Sequence, residues 1–321
     1  MIEINNQKLK NYGEPFIVAE AGINHNGELV KAFEMIEVAK QSGVDAVKFQ
    51  TFKAEEFCGD KKQTFTYKSQ GKKITESMFE MFKRYEFSRD EWFQIKQKCD
   101  DENILFLSTP QNRSDLDLLL ELGLPVIKVG SDDFTNLPLL EDYATTKLPM
   151  IVSCGMSDLA EVYQALDIIG TFEGYPTILL LCTSQYPTPP EDVNILKLKT
   201  LSNAFPDLVL GFSDHTQGSL ASSLASAIIL SLIVLASFII ASLSNLASFA
   251  NLSLSAVRFC ISLRAFSAAA NAFSIPDSLS SKEFKIGFQA NFTINPIKAN
   301  NKIVETTNNP GEKSFNKVSI L

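Results

Sequence analysis

Residues 1–224 alternate between short apolar runs, rich in β-branched residues, and longer stretches whose apolar positions recur three and four apart. The short runs are FIVAEAGINH (16–25), AVKFQTF (46–52), LFLSTP (105–110), VIKVGS (126–131), PMIVSCGM (149–156), TILLLCTSQYP (177–187) and LVLGFSDHT (208–216). They have the length and texture of strands, while LVKAFEMIEVAKQSG and DLAEVYQALDIIG between them carry the helical period. Strands alternating with helices pair in parallel through right-handed crossovers. Seven nearly evenly spaced units predict an α/β fold of the (β/α)8 TIM-barrel type over an open doubly wound sheet. The longest interruption, residues 53–90, reads either as a lid following the second strand or as a surface excursion with an extra helix.

The pattern stops at Leu224. Residues 216–257 contain no charged side chain, and Ser, Leu, Ala, Ile and Phe dominate until an Asn- and Lys-rich end. The chain thus divides into a barrel over 1–224 and a tail over 225–321 of different texture. The tail holds eight basic and four acidic side chains, so the excess behind the net charge of −8 lies wholly in the barrel. An acidic body argues against nucleic acid as a partner. Five cysteines without a C-x-x-C pair fit reduced thiols and a cytoplasmic setting. The start, MIEINNQKLKNYG, has no apolar core behind a basic stretch, so no secretory signal is expected.

Each strand ends in polar residues able to do chemistry, and in a barrel that rim is where active sites sit. Ser and Thr there also cap helices, and Asp214 can serve a cap or orient His215. Lys48 and Lys128 are harder to place structurally, because each sits inside an apolar strand and lysine is almost never buried unless paired. Two inward lysines over a ring of hydroxyls would make an anion pocket for phosphate or carboxylate. His215, beside Ser213 and Asp214, is a candidate for metal binding or proton transfer. His25 sits in the turn-like GINHNG and reads as structural.

The strand ends AEAGINHNG, VKFQTF, LSTP, IKVGS, IVSCGM, CTSQYPTP and GFSDHT, in this order and spacing, resemble the N-acetylneuraminate (sialic acid) synthase family, which includes legionaminate and pseudaminate synthases. The resemblance covers about residues 12–224. It implies condensation of phosphoenolpyruvate with the open aldehyde of an N-acylated mannosamine-type sugar, giving a nine-carbon 2-keto sugar acid and phosphate. It implies a divalent metal, commonly manganese with magnesium as the alternative, bound in part by His215, and a homodimer. Lys48, Thr109, Lys128, Ser131, Ser153, Ser184 and Ser213 fall where the family holds carboxylate and phosphate. Ser184 stands where relatives often carry asparagine. Glu20, Gln50 and Tyr186 fall at the sugar or its aldehyde. Asp133 stands where many relatives carry glutamate and would orient water.

After GFSDHT the family pattern continues into an eighth strand with a second metal-binding histidine, then a C-terminal antifreeze-like domain. Neither is visible in 225–321, where no histidine occurs. Three readings of the tail compete: a membrane anchor around Ala227–Leu243, which would make a non-catalytic membrane-associated protein; a replacement domain; or a change of coding frame or strand near residue 224. Its low charge and excess of Phe, Leu and Ser favour the last, and with it a catalytically impaired copy. A related 3-deoxy sugar-acid synthase barrel is the enzymatic alternative, against which GINHNG and CTSQYPTP count.

Overall fold

The computed structural model describes residues 1–229, apart from 12, 70 and 71, together with 318–320. The chain starts with a hairpin that the strand pattern does not announce: β1 (Ile2–Ile4) pairs antiparallel with β2 (Gln7–Leu9). Asn5 and Asn6 form its turn at φ 47° and 65°, the left-handed pair that a two-residue hairpin favours and asparagine tolerates. Ile2, Ile4 and Leu9 are buried against Val18, Leu107, Ile151, Leu180 and Val209. The hairpin therefore plugs the end of the barrel from which the strands start.

The wall begins with β3 (Ile17–Gly22) and β4 (Ala46–Thr51), parallel and in register until a bulge between Glu20 and Gly22. Residues 53–90 then form an excursion with elements of its own: helix α2 (Ala54–Phe57), the hairpin β5 (Thr64–Ser69) and β6 (Lys72–Ser77), and helix α3 (Met78–Tyr85). Lys83 of α3 pairs with both Glu55 and Glu86, and Phe52, Phe57 and Phe82 pack together beneath. The wall resumes with β7 (Leu105–Pro110), β8 (Ile127–Val129), β9 (Met150–Ser153), β10 (Thr177–Cys182) and β11 (Val209–Ser213). β4 pairs in parallel with β7, β8 with β9, β9 with β10 and β10 with β11, and β8 lies beside β7. The seven expected strands are present, and Glu20, Lys48, Gln50, Thr109, Lys128, Ser153 and Ser213 lie within them.

No parallel eighth strand occurs among the described residues. Its place between β11 and β3 is taken by β12 (Val318–Ile320), which runs antiparallel to both, with Phe212 opposite Ile320 and Val18 opposite Ser319. The ring thus has eight strands, one reversed and three residues long.

Outside the wall the helices bury apolar stripes at helical spacing: Ala32, Ile36 and Ala39 on α1 (Leu29–Gln41), Trp92, Ile95 and Cys99 on α4 (Arg89–Asp101). The remaining outer helices are α5 (Arg113–Glu121), α6 (Leu137–Ala144), α7 (Leu159–Ile169) and α8 (Lys197–Ala204). Ser88 with Glu91, and Asp158 with Glu161, close reciprocal caps on α4 and α7. A last helix over 220–229, α9, runs through Leu224 without a break, and Ala225 and Ile229 are buried in the core. The boundary expected at 224 thus falls inside a helix that still packs as barrel. The tail readings for 230–317 lie outside the described residues.

Candidate active site

Side chains alternate along a strand, and this fixes what each wall residue faces. Val47 and Phe49 of β4 belong to the layer under the helices, so Lys48 and Gln50 turn to the barrel axis. Ile127 and Val129 of β8 likewise leave Lys128 pointing inward. Glu20, Lys48 and Lys128 form the polar side of a small cavity whose floor is Val18, Leu107, Ile151 and Leu180. Buried charge on an apolar floor is costly unless it is paired and hydrogen-bonded.

The two lysines meet that requirement differently. Lys48 Nζ is 3.0 Å from Glu20 Oε2 and donates to Thr109 Oγ1 at 2.9 Å. Lys128 Nζ donates to Ser153 Oγ at 2.7 Å and to the Val129 carbonyl at 2.5 Å, both neutral. Burial, and then the neighbouring Lys48 charge, push the Lys128 ammonium down to about 8.

Ser131 and Ser184 flank Gly155. The Gly155 amide donates to Ser131 Oγ at 3.0 Å. A Cβ on Gly155 would stand 2.4 Å from Ser184 Oγ and 2.7 Å from Ser131 Oγ, so only glycine leaves both hydroxyls in place. Ser184 Oγ is buried and has no hydrogen-bond partner among the described residues, the condition of a polar atom kept for a ligand or water. Ser213 ends β11, buried, in register with Cys182. Gln50 Oε1 lies 3.7 Å from the Cβ position of Gly22, at the bulge of β3.

His215 and Tyr186 form the far rim. Their rings lie 4.1 Å apart at 31°, and His215 Nδ1 is 2.8 Å from the Thr183 carbonyl. Facing a carbonyl, Nδ1 carries the proton, which makes Nε2 the basic atom, the arrangement usual for a metal-binding or proton-accepting histidine. The Thr188 amide donates to the His215 carbonyl at 2.8 Å, locking this rim to the cis Tyr186–Pro187 turn. Asp214 serves the turn. Its buried carboxylate accepts from the Thr216 amide at 2.8 Å and from Ser222 of α9.

The site thus brings together Glu20, Lys48 and Thr109, then Lys128 and Ser153, then Ser131 and Ser184, with Tyr186 and His215 facing each other. Asp133 stands apart. Its carboxyl, raised by burial and then by the Asp132 charge, is hydrogen-bonded with Asn136 in its own turn. The acids whose charges reach Lys128 are Glu20 and then Asp132, and sequence reasoning passed over the second. The pair in GSDD contained the signal, but β8 stops at Val129, so strand alternation could not choose between the two. His25 is structural in its surroundings: buried, stacked on Phe87 at 4.3 Å, and accepting at Nδ1 from the Gly27 amide at 3.0 Å. Burial lowers it to about 4, so it is neutral at physiological pH.

For the expected cation, His215 Nε2 is a fitting donor, but one imidazole is a poor site. No group of three His, Cys, Asp or Glu side chains that could hold a metal occurs among the described residues. Among the described residues the donor set falls short of a metal site.

Residues 35–233 match the model of the NeuB family. The chain belongs to the NeuB family. N,N'-diacetyllegionaminic acid synthase of Legionella pneumophila is 40% identical over 214 residues, 65% of this chain and 60% of its own. The human N-acetylneuraminate-9-phosphate synthase is 35% identical over 217 residues, 66% of this chain and 59% of its own. The crystal structure of an N-acetylneuraminic acid synthetase from Leptospira borgpetersenii, in complex with citrate, superposes with a TM-score of 0.63 at 28% identity. That superposition covers 82% of this chain and 97% of that one. The match thus spans about 60% of the length of the curated relatives. Among the described residues no helix is long and apolar enough to cross a membrane.

Proposed function

We propose that this NeuB barrel binds phosphoenolpyruvate and is built to condense it with the open aldehyde of an N-acylated mannosamine-type sugar. The observation that carries the reading is the pair of buried lysines on one cavity, with the partnerless Ser184 hydroxyl at the same strand-end rim. Lys48 with Thr109, and Lys128 with Ser153, supply fixed positive charge and donors for a carboxylate and a phosphate. Ser131, Ser184 and Ser213 add hydroxyls around them.

The chemistry follows from that placement. The methylene carbon of phosphoenolpyruvate attacks the aldehyde carbon and forms the new C–C bond, while the aldehyde electron pair moves to its oxygen, which takes up a proton. Water then adds at the neighbouring carbon that bears the phosphate oxygen, and phosphate leaves by C–O cleavage, giving a nine-carbon 2-keto acid. Positive charge from the lysines stabilises the departing phosphate where it is desolvated and preorganised. Gln50, Tyr186 and His215 line the side from which the sugar enters. Asp132 and Asp133 are the acids on the β8 turn available to orient water.

Thermal unfolding with and without phosphoenolpyruvate tests the reading. A ligand that binds only the folded chain raises its melting temperature by mass action. The rise should vanish in Lys128→Met; a rise that survives in Lys48→Met/Lys128→Met places the anion elsewhere. Turnover is a separate question, because the second histidine of the family pattern is absent from 225–321. We expect little product from this chain with manganese, phosphoenolpyruvate and sugar. Replacing the tail with a family C-terminus should restore product, and His215→Ala should remove it again.

A further inference from the structure

The Asp214 carboxylate encloses His215 between two anchors. One of its oxygens accepts from the Thr216 amide at 2.8 Å. Side chain and backbone thus close a small ring around residue 215, the turn that an aspartate makes with the residue two places on. The other oxygen accepts from Ser222 Oγ in the first turn of α9. A carboxylate there also complements the positive end of the helix dipole. Asp214 and Ser222 are 3% and 7% exposed, so water competes little for either bond. α9 is itself fixed, because Ala225 and Ile229 lie in the core under it.

From the other side, the Thr188 amide donates to the His215 carbonyl at 2.8 Å, and His215 Nδ1 faces the Thr183 carbonyl at 2.8 Å. The imidazole that results lies 4.1 Å from the Tyr186 ring. The direction of that imidazole depends on the backbone angles at residue 215. A rotation of about 15° there would swing the far ring nitrogen by roughly 1 Å, a displacement that matters to a reacting group.

We propose that Asp214 is a positioning residue, which couples helix α9 to the backbone of His215 and so sets where Nε2 points. It acts through His215 and touches no reacting atom. α9 is the helix from which the chain continues past residue 229, so the seat of α9 becomes a condition for the geometry of the rim. The use of this coupling rests on the proposed reading of the His215 rim as the side from which the sugar enters.

The test is nuclear magnetic resonance of the imidazole Hε1 protons in the full chain. The chain has two histidines, so two signals are expected. His215→Gln assigns them. His25, buried and stacked on Phe87, is the internal control. Spectra are taken at one pH, about 8.5, above the ordinary histidine value of about 6.5, so that protonation does not enter. The Tyr186 ring should displace the His215 signal from its value in an unfolded chain. Most of that displacement should be lost in Asp214→Ala and a smaller part in Ser222→Ala, with the His25 signal in place. Asp214→Asn keeps an acceptor for the Thr216 amide and lets Ser222 Oγ accept instead, so it should retain most of the displacement.

An unmoved His215 signal in Ser222→Ala, or equal movement of both histidine signals, overturns the proposal, the second by showing a loss that is merely structural. Ser222→Ala decides alone where Asp214→Ala fails to fold. The sugar reading is checked separately, by adding N-acetylmannosamine and phosphoenolpyruvate to the unaltered chain. A His215 signal that answers the variants but not these ligands upholds the coupling and refutes the sugar reading. One that answers the ligands but not the variants does the reverse.

Discussion

The two sides of the cavity carry the same residue in different electrostatic company. On the β3–β4–β7 side, Lys48 is matched by Glu20 and Thr109, so its charge is balanced on the spot. On the β8–β9 side, the hydrogen-bond acceptors of Lys128 among the described residues are a hydroxyl and a carbonyl, and the charges of Glu20 and Asp132 reach it only from a distance. A balanced ion pair is scaffolding that also offers charge. An unbalanced buried ammonium costs stability in the empty protein and recovers it when an anion arrives, which is how a binding site trades stability for function. The same substitution at the two positions should therefore have opposite signs.

The largest expected effect is at Lys48. Lys48→Met removes the ammonium 3.0 Å from Glu20, whose side chain is 12% exposed. Breaking one half of a buried pair should cost about 3 kcal/mol, read as a fall in the urea midpoint at unchanged slope. A loss below about 1 kcal/mol would place the pair among solvent-screened ones and end the contrast.

Lys128→Met should instead stabilise the unliganded chain, by about 2 kcal/mol at neutral pH. The gain is the relief of a charge held more than two pH units below its unfolded value of about 10.4, less the hydrogen bonds given up. The sign with pH follows. Between about 8 and about 10.4 the unfolded chain binds more protons at this site than the folded one, so its contribution to stability rises with pH across that window. The penalty is fully present below about 8 and relieved as pH approaches about 10.4. The advantage of Lys128→Met over the unaltered chain should accordingly shrink in denaturation curves as pH is raised through that range. An advantage independent of pH would mean that the ammonium is not strained.

Much of this contrast was legible before any coordinates. Lys48 and Lys128 stood out because each broke an apolar strand, and alternation alone turned them to the axis. What the residues could not say was which one is paired. Glu20 reaches Lys48 through the register of β3 on β4, in which the two are direct neighbours, and registers between strands are set by packing across the whole ring. The N-terminal hairpin escaped for a different reason: strands of three residues carry too few apolar positions to make a period, although the Asn5–Asn6 turn was a signal. β12 had no readable signal, since VSI pairs with strands about a hundred residues and more away. The Asp132 and Asp133 pair shows the limit within one turn, where adjacent acids part company once the strand has ended.

A smaller effect probes what holds Lys128 in place. Ser153→Ala removes the hydroxyl that accepts from Nζ at 2.7 Å and leaves the Val129 carbonyl. A hydrogen bond to a charged group contributes on the order of 1.5 kcal/mol, and a partly neutral amine should lose somewhat less, about 1 kcal/mol. The more telling readout is the pH dependence. With one fewer acceptor for the charged form, the window over which stability rises with pH should begin at lower pH in Ser153→Ala. An upward move would show that Ser153 does not favour the ammonium.

The smallest effect on stability is expected at Ser184, and its smallness is the point. Ser184 Oγ is buried without a partner, so the folded chain already bears the cost of dehydrating it. Ser184→Ala deletes that cost and loses no hydrogen bond, and the alanine methyl group occupies space the serine side chain already held. Thermal unfolding of the unliganded chain should therefore be unchanged or raised by a few tenths of a kcal/mol, where an ordinary bonded serine would lose about 1 kcal/mol. The cost should appear only with ligand present: the melting-temperature rise given by phosphoenolpyruvate should be smaller in Ser184→Ala than in the unaltered chain. Gly155→Ala sharpens the reading, because its Cβ would press on Ser184 Oγ at 2.4 Å and on Ser131 Oγ at 2.7 Å. Removing the Ser184 hydroxyl should relieve part of that clash, so Gly155→Ala/Ser184→Ala should be more stable than the sum of the single changes. Strict additivity would show that the two positions do not touch, and the hydroxyl would then not be held at the rim by Gly155.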